Sequence, residues 1–260
     1  MQPSITVIMD TVGRESIATA IRSFIAQDYP FARLLIVNRH PSPLKVSGIP
    51  DSHRMRIEVV NQEDTFTRPV YQHIWNLKNI RTDCWTILDD DDWIDANHLS
   101  QLVAHWNTCT ERTDAPLQVC GRNYKVHYDD KVVDLAFRGW AVSLFETLTP
   151  AEVDWVYKLF PAETLISSDT WIAWNSFYDK REFEAVPTYH WERRGQNHIS
   201  QHETNRGDTE ADRFKIALNY WRIKLDARSK PLLPVVVEVN SPTSRDCATS
   251  TGVSARSTPT

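Results

Sequence analysis

Four consecutive carboxylates, Asp89–Asp92, carry the strongest chemical signal in the sequence. Adjacent carboxylates repel one another, and a divalent cation bound among them relieves that repulsion. Mg²⁺ and Mn²⁺ favour such hard oxygen ligands, and they usually combine one or two carboxylates with the phosphates of a substrate. The apolar run Trp85–Leu88 leads into the acidic run and Trp93-Ile94 follows it, so the run is anchored at both ends. The pattern therefore favours a metal site over a solvated acidic loop.

The elements that must position these carboxylates alternate short apolar runs with helical periodicity, which predicts βαβ units and a parallel sheet. Strands are predicted at Ile5–Met9, Leu34–Val37, Ile57–Val60 and Trp85–Leu88. Apolar stripes predict three helices. The stripes are Ile17, Ile21, Phe24 and Ile25 on the first helix, Val70, Ile74 and Leu77 on the second, and Leu99, Leu102, Val103 and Trp106 on the third. Asp95 is expected to cap the third helix. Ligands of open α/β sheets bind at the carboxyl ends of the strands, where the acidic run lies.

The pattern changes after residue 115. The runs Leu117–Lys125 and Lys131–Phe137 are predicted to be paired strands joined by a turn at Asp129-Asp130. Further helices are predicted after Ser167 or Ser168 and around Trp221. The segment 241–260 is rich in Ser and Thr with almost no apolar residues, which predicts a disordered tail.

Composition and charge argue against several classes of protein, although a local basic patch would still suffice for a nucleic-acid acceptor. The net charge of −5 gives no global basic field that would attract nucleic acid or an anionic membrane. No window approaches the roughly 18 apolar residues of a spanning helix. The chain starts directly with a strand-like run, so we expect a cytoplasmic protein without membrane contact. The four cysteines show no CxxC pairing, which indicates buried thiols rather than disulfides or a zinc site.

Residues 4 to about 200 resemble the large GT-A family of inverting glycosyltransferases known as family 2. The resemblance rests on the strand Ile5–Met9, on the helix end Ser23–Pro30, and on Ile87–Trp93, which is similar to the family's DxD segment. It implies an α/β fold of the GT-A type, with a mostly parallel, Rossmann-like sheet flanked by helices and a smaller mixed region on the acceptor side. It further implies that residues 1–115 bind a nucleotide sugar and that 116–230 bind the acceptor and carry the catalytic residue.

The same resemblance implies site residues. Asp89 and Asp91 are the paired DxD positions, Asp92 lies beside them, and His198 is a further ligand expected for Mn²⁺ or Mg²⁺. Contacts to the donor nucleotide and its diphosphate are expected from Thr11, Arg14, Asn38, Arg68, Asp90, Arg193 and Arg194. Asp169, near the start of the helix predicted after Ser167 or Ser168, is the expected catalytic base, because a helix N-terminus favours an ionised carboxylate.

One departure concerns the donor. The chain has Asn38-Arg39-His40 where the family commonly has an acidic pair that helps to hold the base and ribose. UDP is the expected nucleotide because it is the commonest in the family.

The acceptor is expected to be a saccharide or a hydroxymethylated pyrimidine of viral DNA. If the protein is viral, it is expected in the host cytoplasm. A flipped base could be received by Arg138–Tyr157. One alternative is a nucleotidyltransferase, although Asp10–Arg14 has one glycine and one arginine rather than a glycine-rich, basic loop. Another alternative is a non-catalytic binding module, but the presence of Asp89, Asp91 and Asp169 argues against it. The sequence does not indicate an oligomeric state.

Overall fold

The computed structural model describes residues 2–11, 13–40, 42–61, 76–109, 111, 115–136, 142–158, 178–192 and 235–239. These residues form a mixed α/β structure with a mostly parallel central sheet, which confirms the predicted fold class. The helices predicted after Ser167 or Ser168 and around Trp221, and the tail predicted at 241–260, lie outside the described residues. None of the described helices is long and apolar enough to span a membrane.

The described strands and helices follow a βαβ pattern at first, and later strands β8 and β9 form a hairpin. The strands are β1 Ile5–Thr11, β2 Ala32–Asn38, β3 Leu44–Ser47, β4 Ile57–Asn61, β5 Cys84–Ile87, β6 Trp93–Ile94, β7 Leu117–Gly121, β8 Asn123–His127, β9 Val132–Ala136, β10 Ser143–Glu146, β11 Asp179–Phe183, β12 Tyr189–Glu192 and β13 Val235–Glu238. The helices are α1 Ile17–Ile25, α2 Asp51–Arg54, α3 His98–Thr108 and α4 Pro150–Lys158, and residues 76–79 are also helical.

The central sheet has seven strands in the order β11-β7-β10-β5-β1-β2-β4. Strands β5, β1, β2 and β4 are parallel neighbours, whereas β10 runs antiparallel to both β5 and β7. This order brings the carboxyl ends of β1, β2 and β5 to one edge of the sheet, and the acidic run follows β5 there.

Strand β1 lies between two apolar clusters, which is expected for a parallel strand covered on both faces. Ile5 and Val7 belong to the cluster that includes the apolar stripe of α1, whereas Ile8 packs on the opposite face with Trp85 and Phe145. The stripe predicted for α3 is also buried, with Leu99, Leu102, Val103 and Trp106 in the first cluster. The hydrophobic periodicity therefore identified these packing faces correctly.

Two local predictions need correction. The strand predicted over Leu117–Lys125 is divided at Arg122, because β7 belongs to the central sheet whereas β8 pairs with β9 in a second sheet. Asp95 does not cap α3 with its side chain: the helix follows Asn97, and the Asp95 carboxylate instead accepts a hydrogen bond from His190. The predicted turn between β8 and β9 is confirmed, with the Tyr128 N–H donating to the Lys131 carbonyl at 2.8 Å.

The second sheet, here called the small sheet, has four strands in the order β6-β12-β8-β9. Its inner face consists of residues that join the main core, namely Ile94, Tyr189, Tyr124 and Val126. Its outer face carries the alternate residues Trp93, His190, Lys125, His127 and Glu192. Because side chains alternate along a strand, one face is apolar and the other is polar and aromatic.

A two-stranded parallel sheet joins β13 to β3. The close approach at its end requires a glycine at position 48, whose φ of 73° lies in the left-handed region. A Cβ atom there would lie 2.6 Å from the Val239 carbonyl oxygen. Of the cysteines, Cys84 and Cys120 are buried free thiols, as predicted, and Cys109 is half-buried.

Candidate functional site

The acidic run is held at the carboxyl edge of the central sheet by backbone pairing that continues beyond β5. The Leu88 N–H donates to the Ile8 carbonyl of β1 at 3.0 Å, so the chain stays in register until it reaches Asp89. The Asp92 N–H then donates to the Asp89 carbonyl at 3.2 Å, which closes a tight turn. The carboxylates therefore lie where parallel α/β sheets bind ligands.

Asp89, Asp91 and Asp92 form a cluster that could hold a metal ion, with one ligand oxygen from each within 4.8 Å of the others. Asp92 is buried, whereas Asp89 and Asp91 are partly exposed, so the cluster has one side open to solvent. Carboxylate oxygens at this spacing are the donor set that Mg²⁺ and Mn²⁺ prefer, and partial exposure leaves positions for substrate oxygens. The residues present thus fit such a divalent cation.

Burial makes this cluster electrostatically unfavourable in the absence of a cation. Desolvation raises the pKa of Asp91 to about 6, and the guanidinium of Arg14 opposes that rise only in part. Desolvation, followed by the charge of Asp91, raises the pKa of Asp92 well above its ordinary value. A bound cation would favour the ionised form of both groups, which is a physical reason for such a cluster to attract one.

Thr11 and Arg14, two residues predicted to contact the nucleotide, contact the acidic run. The Thr11 hydroxyl donates to Asp90 Oδ2 at 2.7 Å and accepts a hydrogen bond from the Gly13 N–H at 2.9 Å. The Arg14 guanidinium donates to Asp90 Oδ1 at 3.1 Å and to Asp91 Oδ2 at 2.6 Å. The loop after β1 and the loop after β5 are therefore joined, and one cation already lies against a predicted metal ligand.

Strand β12 holds Asp92 from the other side. The Tyr189 hydroxyl donates to Asp92 Oδ2 at 2.6 Å, and the Glu192 N–H donates to Asp92 Oδ1 at 2.9 Å. The Asp89 N–H also donates to the Tyr189 hydroxyl, at 3.4 Å. Both Asp92 oxygens thus accept hydrogen bonds from β12, so this carboxylate connects the acidic run to the small sheet.

Asn38 lies at the end of β2 and is fully buried. Its amide donates to the Ser42 carbonyl at 2.8 Å and to Asn61 Oδ1 at 2.9 Å, while its oxygen accepts from the His40 N–H at 3.0 Å. These contacts brace the loop after β2. A contact of Asn38 with the base or ribose stays a prediction.

A chain of hydrogen bonds crosses the outer face of the small sheet. His190 Nε2 lies 2.9 Å from Asp95 Oδ1, and His190 Nδ1 lies 2.9 Å from His127 Nε2. The His190 ring is stacked on Trp93, with centroids 5.1 Å apart and planes 14° apart. Burial lowers the pKa of His190, and neutral imidazole has one donor and one acceptor nitrogen. Because a carboxylate accepts, Nε2 is the donor, and His190 Nδ1 accepts a hydrogen bond from His127.

The remaining predicted site residues, Arg68, Asp169, Arg193, Arg194 and His198, lie outside the described residues and stay predictions. Conversely, the structure reveals partners that sequence reasoning did not identify. Tyr189 contacts an aspartate far away in the sequence, and no local pattern signals that pairing. Trp93 and His190 could have been paired only if the register of β6 and β12 had been known.

Comparison with known proteins places this architecture among glycosyltransferase folds. No protein-family model and no curated protein sequence matches the chain. S. aureus TarS, residues 1–349, in complex with UDP-GlcNAc is similar with a TM-score of 0.55 at 14% identity, covering 86% of this chain and 73% of that one. The mannosyltransferase PcManGT from Pyrobaculum calidifontis, in complex with GDP-Man and Mn²⁺, gives a TM-score of 0.51 at 13% identity, covering 88% and 70%. At such low identity the likeness shows the fold, which is of the GT-A type.

Proposed function

We propose that the chain is a metal-dependent glycosyltransferase that transfers a sugar from a nucleotide sugar to an acceptor hydroxyl. The observation that carries this proposal is the cluster of Asp89, Asp91 and Asp92 at the carboxyl edge of a GT-A-type sheet. The complexes of the similar structures, with UDP-GlcNAc in one and GDP-Man and Mn²⁺ in another, support the same class of reaction.

The donor diphosphate is proposed to lie between the acidic cluster and the loop after β1. Asp89 and Asp91 would hold Mn²⁺ or Mg²⁺, which supplies positive charge to the phosphate oxygens of the leaving nucleotide. Arg14 lies against Asp91 and offers further donors on the same side of the cluster. Arg68, Arg193 and Arg194 are proposed as additional phosphate ligands, because the forked guanidinium suits phosphate.

Asp92 has a distinct role in this proposal. Its two oxygens accept hydrogen bonds from β12, so it orients the acidic run, although each oxygen retains a lone pair for a cation. His198 is a proposed further ligand.

UDP is the proposed nucleotide, and Asp169 the proposed base that takes the proton from the acceptor hydroxyl. The hydroxyl would attack the anomeric carbon from the face opposite the leaving diphosphate, which inverts the configuration without a covalent intermediate. General-base catalysis contributes typically ~10²–10⁴-fold to the rate. We therefore expect Asp169→Asn to lower kcat by that factor while the affinity for UDP changes little. A variant with near-normal kcat would place the base elsewhere, with Glu163 or Glu192 as the next residue to substitute.

The acceptor is proposed to be a saccharide or a hydroxymethylated DNA base. Incubation with UDP-glucose, UDP-GlcNAc or GDP-mannose and Mn²⁺, with release of the nucleotide diphosphate as the readout, tests the central proposal. Release that EDTA abolishes supports a metal-dependent transferase. Release of a nucleoside monophosphate or of pyrophosphate indicates attack at the α-phosphate and hence a nucleotidyltransferase. Binding of a nucleotide sugar without release under all these conditions, acceptors included, indicates a non-catalytic module.

A further inference from the structure

The outer face of the small sheet continues directly from the metal cluster. Trp93 and His190 are register partners in the antiparallel strands β6 and β12. Asp91 lies two residues before Trp93, and Glu192 lies two residues after His190. Asp91 and Glu192 are therefore brought to the same end of this strand pair. The negative charge of Glu192 contributes to the raised pKa of Asp91, which agrees with that proximity.

The next strand of the sheet places His127 beside Glu192. These two residues are register partners in parallel strands, so their side chains lie on the same face. Neighbouring strands are about 4.8 Å apart, so Asp91, Glu192 and His127 form a row that leads away from the metal cluster by roughly one strand spacing at each step. A molecule bound along this row would have one end at the cluster.

His127 is oriented by a hydrogen bond to the buried His190 and by contact with Trp93. It donates Nε2–H to His190, which is only 8% exposed and which in turn donates to Asp95. In the neutral form of His127, this pairing makes Nδ1 the acceptor nitrogen of the ring. Trp93 lies against both imidazole rings, with its centroid 4.5 Å from that of His127. Fixing a tautomer and a ring orientation in this way is typical of side chains that handle a ligand.

The charges of this face favour a neutral ligand. Glu192, Asp95 and Asp134 supply carboxylates, whereas Lys125 is the single cation that the described part of the face contributes. A nucleic-acid backbone needs several lysine or arginine contacts to its phosphates, and this arrangement would repel it. Hydroxyl groups, in contrast, donate well to carboxylates and to an imidazole acceptor, and aromatic rings suit the apolar faces of sugar rings.

We propose that this outer face, centred on His127 and Glu192, is the acceptor site and that it binds a neutral saccharide through its hydroxyl groups. The proposal rests on the proposed transferase function and assigns the acceptor class to it. Glu192 and His127 contact acceptor hydroxyls, while His190 and Asp95 are positioning residues that fix the orientation of the His127 ring. The acceptor thereby reaches the donor from the side of the small sheet.

The test is saturation-transfer difference NMR with the full chain, diamagnetic Mg²⁺, UDP and a panel of methyl glycosides of glucose, galactose, mannose, N-acetylglucosamine and ribose. At least one glycoside is expected to bind. His127→Ala should weaken that binding about fivefold to tenfold, the usual effect of one lost hydrogen bond. His53→Ala on α2, far from the small sheet, is the matched control and should bind the glycoside as the wild type does. Mn²⁺ and UDP affinities should be unchanged in both variants.

The positioning role has its own readout. Asp95→Ala removes the acceptor of the His190 Nε2–H, so the ¹⁵N shifts of the His190 ring should report a change in the tautomer equilibrium together with weaker glycoside binding. Unchanged tautomer and binding would limit Asp95 and His190 to a structural role.

Two outcomes overturn the proposal while leaving the transferase function intact: wild-type protein that binds Mn²⁺ and UDP but no glycoside of the panel, and glycoside binding that His127→Ala does not weaken. Binding of a duplex containing 5-hydroxymethylcytosine, lost in His127→Ala, would reassign the face to DNA. Failure of the wild type to bind Mn²⁺ or UDP would instead contradict the proposed function itself.

Discussion

Replacing Tyr189 with phenylalanine removes the hydroxyl that connects the acidic run to the small sheet. That hydroxyl donates to Asp92 at 2.6 Å and accepts the Asp89 N–H at 3.4 Å, in surroundings where the tyrosine is only 2% exposed. Removing one partner of a buried hydrogen bond costs about 1–3 kcal/mol of the free energy of unfolding. Tyr189→Phe should therefore lower that free energy by this amount, which corresponds to roughly 2–12 °C in Tm for a domain of this size.

The same substitution should weaken metal binding, because the orientation of the acidic run depends on this contact. If about 1.4 kcal/mol of the lost energy had ordered the run, the Kd for Mn²⁺ rises about tenfold. Electron paramagnetic resonance of free Mn²⁺ measures this Kd directly, and urea unfolding of the metal-free protein measures the stability loss.

Tyr29→Phe is the matched control. The Tyr29 hydroxyl is also buried and donates to the Pro3 carbonyl at 2.6 Å, but it lies at the amino end of β1. Seven residues of strand place that end about 20 Å from the acidic run. This control should lose stability without losing Mn²⁺ affinity. The reasoning is refuted if Tyr189→Phe binds Mn²⁺ within twofold of the wild type, or if Tyr29→Phe weakens Mn²⁺ binding equally.

Three further predictions concern the described residues. Asp91→Asn should weaken Mn²⁺ binding at least about tenfold and stop nucleotide release. The Tm should not fall, because the substitution removes a desolvated charge. A Mn²⁺ affinity equal to that of the wild type, measured by paramagnetic resonance, would exclude Asp91 as a ligand. Arg14→Gln should tighten Mn²⁺ binding at pH 8 at least about threefold, since a guanidinium no longer competes for Asp91. The same variant should bind UDP more weakly, as measured by calorimetry. Weaker Mn²⁺ binding would show instead that Arg14 preorganises the carboxylates. Burial lowers the pKa of His98 from its ordinary 6.5 to about 4. As the pH falls, the unfolded chain therefore binds a proton at this histidine before the folded protein does. The free energy of unfolding that depends on neutral His98 is fully present above pH 6.5 and is lost progressively towards pH 4. Asp91, whose pKa is raised to about 6, changes stability in the opposite direction over the same pH range, so the His98 contribution is measured as a difference between two proteins. Between pH 7 and 4.5 the wild type should lose about 2–3 kcal/mol more unfolding free energy than His98→Asn, as measured by urea unfolding; an equal pH dependence in the two proteins would contradict this assignment.

The sequence predicts the central sheet well because each of its first strands is a continuous apolar run with its own signal. Ile5–Met9 and Leu34–Val37 lie within β1 and β2, and the acidic run follows β5 as expected. Strand β3 was not predicted, because Leu44–Ser47 contains a lysine and a serine among few apolar residues and pairs with a strand far later in the chain. Local pattern carries no information about such a partner.

The polar side chains divide in the same way into those with a local signal and those without one. Asp89 and Asp91 stand out as candidate metal ligands because adjacent carboxylates after an apolar strand are unusual, and the structure brings them together with Asp92. The hydrogen bond between Asp95 and His190 was not predictable from local rules, because those rules favour aspartate as a helix cap. The Asp95 carboxylate instead serves His190, and that choice depends on the pairing of β6 with β12. Long-range register, rather than propensity, thus decides what these polar groups do.

The pairing of β3 with β13 has a consequence for how the protein emerges from the ribosome. Among the described strands β3 pairs with β13 alone, and about 190 residues separate Ser47 from Val235. At about 5–20 residues per second, translation leaves the edge of β3 open for roughly 10–40 s. An open edge is a template for pairing with another nascent chain. Synthesis that stalls before residue 235 should therefore yield fragments that aggregate through β3, and a chaperone that covers this edge would be needed most during that interval.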